Sequence, residues 1–144
     1  MMEILVLNGP NLNLLGMREP EIYGNRTYKD LEKLIEDHCK MRKIHVKIKQ
    51  TNHEGLLVDY IQEAFFDQID GIIINPAAYT HTSVAILDAL KAVKIPCVEV
   101  HISNPDEREA YRQVSYVREA CLATIKGKGL EGYLEAIDKL IAYI

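Results

Sequence analysis

The sequence predicts an α/β fold: a three-layer sandwich around five parallel strands in the order 2-1-3-4-5. Strand-like and helix-like periodicity alternate along the chain. The strands read as near-continuous apolar runs, as Ile4-Leu5-Val6-Leu7 and Ile72-Ile73-Ile74 do. Three strands end in polar, reactive bursts rather than in ordinary turns: Asn8-Gly9-Pro10-Asn11, then Asn75-Pro76 with Thr80-His81-Thr82-Ser83 beyond, then His101-Ile102-Ser103-Asn104. Regular β-α alternation with apolar strands marks a parallel sheet covered on both faces. Of the two doubly wound orders, 2-1-3-4-5 suits five strands and puts the switch point between strands one and three, where ligands bind outside the carboxyl ends. Asn11 and Asn75 would flank it.

The elements follow in order. Residues 3–8 read as strand one. Thr27 followed by Asp30 is an N-cap signature for a helix carrying Leu31, Leu34 and Ile35 on one face. Ile44, Val46 and Ile48 alternate as strand two. Residues 55–67 form a helix with Leu56, Leu57, Tyr60, Ile61, Ala64 and Phe65; residues 71–75 form strand three; and a helix over 82–93 starts near Thr82 or Ser83. Pro96 precedes strand four at 97–101. A short helix near Asp106–Tyr111, a strand near 120–126 and a helix over 130–143 complete the pattern, with no linker, repeat or low-complexity segment.

The 144 residues suit one domain spanning 1–144, since a chain of about 150 residues buries roughly 68–70% of its extended surface. Charged residues make up 26% and apolar ones 48%, too hydrophobic for disorder. The net charge of −4 has no one-signed block, so neither nucleic acid nor a membrane surface is expected as a partner. Cys39, Cys97 and Cys121 are odd in number, widely spaced and without a C-x-x-C, which predicts buried thiols in a reducing compartment. The apolar run near the start is too short for a signal peptide, and no stretch approaches a bilayer span. A cytoplasmic protein is expected.

Gly127-Lys128-Gly129-Leu130-Glu131-Gly132 matches G-x-G-x-x-G after an apparent strand. A dinucleotide site needs a further strand with an acidic residue about 20 positions on, which this sequence does not supply, so a tight turn with close helix packing is expected instead. Glu99 and His101 lie two apart in a strand and face one side. They could be metal ligands with His81 or Asp88 as a third, a structural pair, or a carboxylate orienting an imidazole that moves a proton near neutral pH.

The segment from Gly16 to Asn25 is long for a loop in a compact domain, a length that fits a functional lid. Its Arg18 and Tyr23 are informative, because a nearby guanidinium favours the phenolate. An exposed arginine beside an anchoring tyrosine is the alternative. Arg108 and Arg112, four apart on the short helix after strand four, could both face the sheet edge and clamp an anionic or polyhydroxylated ligand, or be an exposed pair. Ile102, Ser103 and Asn104 bring backbone N–H groups near that helix's start, a place that receives a carboxylate or phosphate readily.

Five runs then match a known family in order. Leu7-Asn8-Gly9-Pro10-Asn11-Leu12-Asn13-Leu14-Leu15-Gly16, Arg18-Glu19-Pro20 with Tyr23-Gly24, Asn75-Pro76 with Tyr79-Thr80-His81-Thr82-Ser83, Glu99-Val100-His101-Ile102-Ser103-Asn104, and Gly129-Leu130-Glu131-Gly132-Tyr133 resemble the type II 3-dehydroquinate dehydratases. The match spans essentially the whole chain. The resemblance implies a flavodoxin-like fold, a homo-oligomer built as a tetramer of trimers (a dodecamer), and the third step of the shikimate pathway toward chorismate and the aromatic amino acids. Water is lost from 3-dehydroquinate to give 3-dehydroshikimate, without cofactor, metal or imine.

By similarity Tyr23 is the base that removes the proton α to the ketone, with Arg18 holding the phenolate. Asn11 steadies the enolate oxygen through a water, His101 protonates the departing hydroxyl, and Glu99 orients His101. The backbone amides of Ile102 and Ser103 match the carboxylate site. Asn75, His81 and Arg112 match the groups that hold ring hydroxyls, and Asp88 matches a residue reaching a neighbouring subunit's site. Arg108 is left without a role. Ala77 departs from the family, which more often has glycine there.

The implied chemistry is physically consistent. A phenol of pKa about 10 lies roughly 4 kcal/mol from being mostly ionised at neutral pH, and an arginine in a dry site can supply much of that. A lid carrying both groups would assemble the base when substrate is present. Two rivals remain: a lyase acting on a related cyclic hydroxy-ketone acid, and a non-catalytic module on the same fold. A receiver module would need acidic residues at the ends of strands one and three, where asparagines stand. A flavin module would need a phosphate loop where Pro10 removes a donor.

Overall fold

In the computed structural model of the chain, residues 1–17 and 19–144 are described, Tyr23 through its backbone alone. The roles expected of Arg18 and of the Tyr23 side chain therefore lie outside the described residues. Five parallel strands, β1 (Glu3–Asn8), β2 (His45–Gln50), β3 (Gly71–Asn75), β4 (Cys97–His101) and β5 (Ala123–Lys126), form one sheet in the order β2-β1-β3-β4-β5. This is the order expected from the sequence.

After β1 come a short helix, α1 (Pro20–Tyr23), and the long α2 (Tyr28–Met41); α3 (Glu54–Phe66), α4 (Val84–Val93) and α5 (Gly132–Tyr143) follow the later strands. Alternation along the strands divides the core in two. Ile4, Val6, Ile73, Val98, Val100 and Ile125 point into the layer of α2 and α5, against Leu31, Ile35, Tyr133 and Ile137. Leu5, Leu7, Ile72, Ile74 and Cys97 point the other way, against Leu57 and Ile61 of α3 and Ile86 and Leu90 of α4. Each fully buried aliphatic side chain contributes roughly 1.5–3 kcal/mol.

Local signals set the helix starts. Thr27 and Asp30 close the expected capping box at α2, with Thr27 N–H donating to Asp30 Oδ2 at 2.8 Å and Asp30 N–H to Thr27 Oγ1 at 3.2 Å. Such a cap is worth about 1 kcal/mol. Ser83 accepts from Ile86 N–H at 3.0 Å and starts α4 at Val84. Lys49 and Lys47 of edge strand β2 face outward beside Glu63 and Glu3.

Three expectations change. The short helix expected near Asp106–Tyr111 is two separate 3₁₀ turns, Pro105–Glu107 and Ala110–Arg112. Arg108 between them is extended (φ −109°, ψ −161°) and cannot continue a helix. The strand near 120–126 begins only at Ala123, because Val117–Ala120 winds into a 3₁₀ turn. The thiols are free as expected and Cys39 and Cys97 are buried, but Cys121 is only half-buried, its sulfur 3.7 Å from that of Cys97.

Candidate active site

The polar strand ends meet at the carboxyl edge of the sheet. Asn8 of β1 is in register with Asn75 of β3, and Gly9 N–H donates to the Asn75 carbonyl at 2.8 Å. A side chain at Gly9 would stand 2.4 Å from the Pro76 carbonyl oxygen, so only glycine lets the two strand ends approach this closely. Above them lies a cavity of about 170 Å³ whose walls include Asn11, Asn75, His81, His101, Ile102, Ser103, Arg108 and Arg112.

Asn11 sits in the left-handed region (φ 70°), which asparagine tolerates better than most residues. Asn52 holds it there: Asn52 Oδ1 accepts from Asn11 N–H at 3.0 Å and from Gln50 Nε2 at 3.1 Å, while its carbonyl accepts from Tyr79 Oη at 2.9 Å.

Asn75, buried, is fixed through a chain of polar groups running under the sheet edge. Its Oδ1 accepts from Ala77 N–H at 3.1 Å, and its Nδ2 donates to Tyr133 Oη at 2.9 Å. Tyr133 Oη donates to Asn8 Oδ1 at 2.7 Å, and Asn8 Nδ2 donates to Tyr28 Oη at 3.2 Å. Burial pushes the Tyr133 phenol far up and that of Tyr28 up to about 12, the bond from Asn8 only partly opposing the latter. Neither ionises near neutral pH, so both serve as structural hydroxyls rather than bases.

His81 Nδ1 lies 2.7 Å from the Val114 carbonyl, which can only accept, so the proton is on Nδ1 and neutral His81 keeps a lone pair on Nε2. Burial, with help from His101 and Arg112, holds its pKa below the ordinary imidazole value against the raising effect of that carbonyl.

Glu99 and His101 share one face of β4, as their spacing predicts. Glu99 is 0% exposed, and its Oε2 receives His101 Nε2–H at 2.5 Å. Ser115 Oγ donates to the same oxygen at 2.7 Å; Arg118 Nε and Thr124 Oγ1 donate to Oε1, each at 3.0 Å. Burial alone would raise this carboxyl, but the bonds from His101, Arg118 and Ser115 outweigh it and hold the pKa at about 2. His101 Nδ1 has no hydrogen-bond partner among the described residues, and the ring forms part of the cavity wall. No group of three His, Cys, Asp or Glu side chains among the described residues could hold a metal ion.

The glycine-rich turn has its own task here. Gly129 N–H donates to the Ile102 carbonyl and Gly127 N–H to the Ser103 carbonyl, both at 3.1 Å. Those donors are committed and unavailable to a phosphate. Because the peptide unit is planar and trans, holding the Ile102 carbonyl aims the Ser103 N–H away from the turn. Both glycines are left-handed (φ 75° and 65°). Arg26 ties the start of α2 to the same turn through two bonds to Glu131, at 2.6 and 2.7 Å.

Arg108, between the two 3₁₀ turns, and Arg112, at the end of the second, both line the cavity. Arg112 Nε is 2.5 Å from Glu109 Oε2, and an Arg108 terminal nitrogen is 3.6 Å from Glu19 Oε2. Asp88 is exposed on α4 and away from the cavity wall, so it is not a third ligand beside Glu99 and His101. Sequence reading missed Asn52, Ser115, Arg118, Thr124 and Tyr133, which act from other segments; only the register of Thr124 with Glu99 would have been readable from a strand alignment.

The chain matches the family described as Dehydroquinase class II over residues 2–141. It is 52% identical over 141 residues to the 3-dehydroquinate dehydratase of Lachnoclostridium phytofermentans, covering 98% of this chain and 97% of the relative. It is 51% identical over 139 residues to that of Clostridium acetobutylicum, covering 96% of each. The crystal structure of the type II dehydroquinase from Butyrivibrio crossotus superposes with a TM-score of 0.96 at 54% identity, over 97% of both chains. That of the type II dehydroquinase from Propionibacterium acnes gives 0.93 at 42% identity, over 99% of this chain and 97% of the other.

Proposed function

The chain belongs to the class II dehydroquinases, and from that membership we infer that it is a hydro-lyase converting 3-dehydroquinate into 3-dehydroshikimate and water. The observation that best supports placing this chemistry at the sheet edge is the His101–Glu99 pair in the cavity wall. It joins a proton donor to a carboxylate whose lone pairs are already taken by protein donors, which suits acid catalysis and not metal ligation.

In the proposed reaction the Tyr23 phenolate, held by Arg18, takes the proton α to the ketone and the electron pair moves into an enolate. Asn11 steadies the enolate oxygen through a water. The enolate re-forms the ketone, the C–O bond to the hydroxyl breaks, and His101 gives its proton to the leaving oxygen, so that water departs by anti elimination. Solvent then takes the proton from Tyr23 and returns one to His101. Neither imine nor metal enters a step.

Binding falls to the groups around the cavity. The amides of Ile102 and Ser103 hold the carboxylate, while Asn75, the Nε2 lone pair of His81 and Arg112 hold the ring hydroxyls. Arg108 lies beside Ile102 and Ser103 and suits the same anion. We further propose that 1–144 acts as one catalytic domain, that three copies form the smallest stable unit with Asp88 completing a neighbour's site, and that four trimers make a dodecamer. A cytoplasmic location fits the free thiols; no helix among the described residues is long and apolar enough to cross a membrane.

Ultraviolet absorbance tests the function directly, because dehydration creates a conjugated enone. Absorbance should rise when the protein meets 3-dehydroquinate, and an unchanging trace would overturn the assignment.

A further inference from the structure

We propose that Arg118 is a positioning residue for the acid step: with Ser115 and Thr124 it saturates and neutralises the buried Glu99 carboxylate, and so sets how tightly His101 holds the proton destined for the leaving hydroxyl. The proposal rests on the assignment of His101 as that acid.

The geometry accounts for every strong acceptor direction of the carboxylate, which has about four lone-pair sites. Oε1 takes Arg118 Nε and Thr124 Oγ1, and Oε2 takes Ser115 Oγ and His101 Nε2, with Arg118 Nη2 as a longer fifth contact at 3.4 Å. The bidentate guanidinium keeps the carboxylate plane fixed, so the imidazole can bond in only one orientation. Glu99 is fully buried while the Arg118 side chain is 38% exposed, so the cation reaches from solvent to a charge that has none.

The surroundings leave Arg118 without a substitute. His101 and Cys97 come from β4, His81 from the turn after β3, Asp106 and Arg112 from beyond the end of β4, Lys126, paired with Asp106, from the end of β5, and Cys121 from the end of the Val117–Ala120 turn. Among the described residues none of these but His101 hydrogen-bonds to Glu99, and Arg112 is bonded to Glu109. When His101 gives up its proton, the group of Arg118, Glu99 and His101 passes from one positive charge to neutral. Without Arg118 the same step would leave a net negative charge in a buried site, which is costlier. The imidazolium would then hold its proton more tightly and become a weaker acid.

The test is the pH profile of turnover. For Arg118→Met, kcat near pH 7 should fall at least about tenfold with KM within about twofold, and the alkaline limb of kcat should move up by roughly one pH unit. Arg118→Lys, which keeps the charge, should recover most of the lost turnover and return the limb toward its original position. Thr124→Val, which removes one neutral donor, should move the limb the same way by less, and it serves if Arg118→Met does not fold. A loss of kcat equal at all pH values with an unmoved limb, or a rise in KM alone, would overturn the proposal. His101→Ala separates the two assignments: its profile should lack the alkaline limb, and a limb that persists there would mean that another group is the acid, whatever Arg118 does.

Discussion

Asn75 and Tyr133 are hydrogen-bonded at 2.9 Å although 58 residues separate them, the amide nitrogen at the end of β3 donating to a phenol buried on α5. A helix on one face of the sheet thereby fixes the orientation of a side chain that opens into the cavity on its edge. Tyr133→Phe removes that hydroxyl and leaves Asn75 Nδ2 without its acceptor and Asn8 Oδ1 without its donor in a buried place. Unsatisfied groups of this kind cost about 1–3 kcal/mol each. The variant should unfold at lower urea concentration and show KM for 3-dehydroquinate raised several-fold more than kcat is lowered; an unchanged KM would mean that Asn75 does not depend on its brace.

Stability should depend on acid pH through Glu99. Its carboxyl is held at about 2 in the folded chain, against about 4.3 in an unfolded one. The unfolded chain binds this proton first as pH falls, so stabilisation present above the unfolded value is lost between there and the folded value. The difference amounts to roughly 3 kcal/mol. Urea unfolding measured at neutral pH and near pH 3 should show a smaller loss for Glu99→Gln than for the parent chain, and equal losses would contradict the assignment.

Ala77 carries a side chain at φ 54°, in the left-handed region. This conformation costs a non-glycine residue roughly 1–2 kcal/mol, partly offset because glycine would gain entropy in the unfolded chain. Ala77→Gly should therefore raise the denaturation midpoint modestly, by up to about 1 kcal/mol of stability, and leave KM unaltered. A drop in stability would show that the turn is held by something other than backbone preference.

Tyr23→Phe should lose turnover by orders of magnitude while keeping its affinity for a product analogue, since in the proposed mechanism the phenol does the chemistry and binding rests on the strand ends and Arg112. Calorimetric titration beside the kinetic assay separates the two. Retention of a tenth of the turnover would identify another base.

Much of this architecture was legible in the sequence because its signals are local. Apolar runs such as Ile72–Ile74 mark strands, and the Thr27–Asp30 spacing marks a helix start. The two-residue spacing of Glu99 and His101 put both on one face. What was hidden comes from residues that reach across the chain: Arg118, Ser115 and Thr124 around Glu99, Asn52 under Asn11, and Tyr133 behind Asn75. A single polar residue on a loop or an otherwise apolar helix face carries no periodicity that names its partner. Arg108 and Arg112 misled for the opposite reason, since a spacing of four imitates a helix where an extended residue interrupts the turns.

The central claim is dehydration by the Tyr23 and His101 chemistry alone, with neither imine nor metal. The most direct measurement is enone formation from 3-dehydroquinate after treatment with borohydride in the presence of substrate, and in parallel after dialysis against chelator. Turnover should be the same as in untreated protein in both arms. Inactivation by borohydride would reveal an imine, and loss on chelation reversed by added metal would reveal a metal; either result would contradict the mechanism.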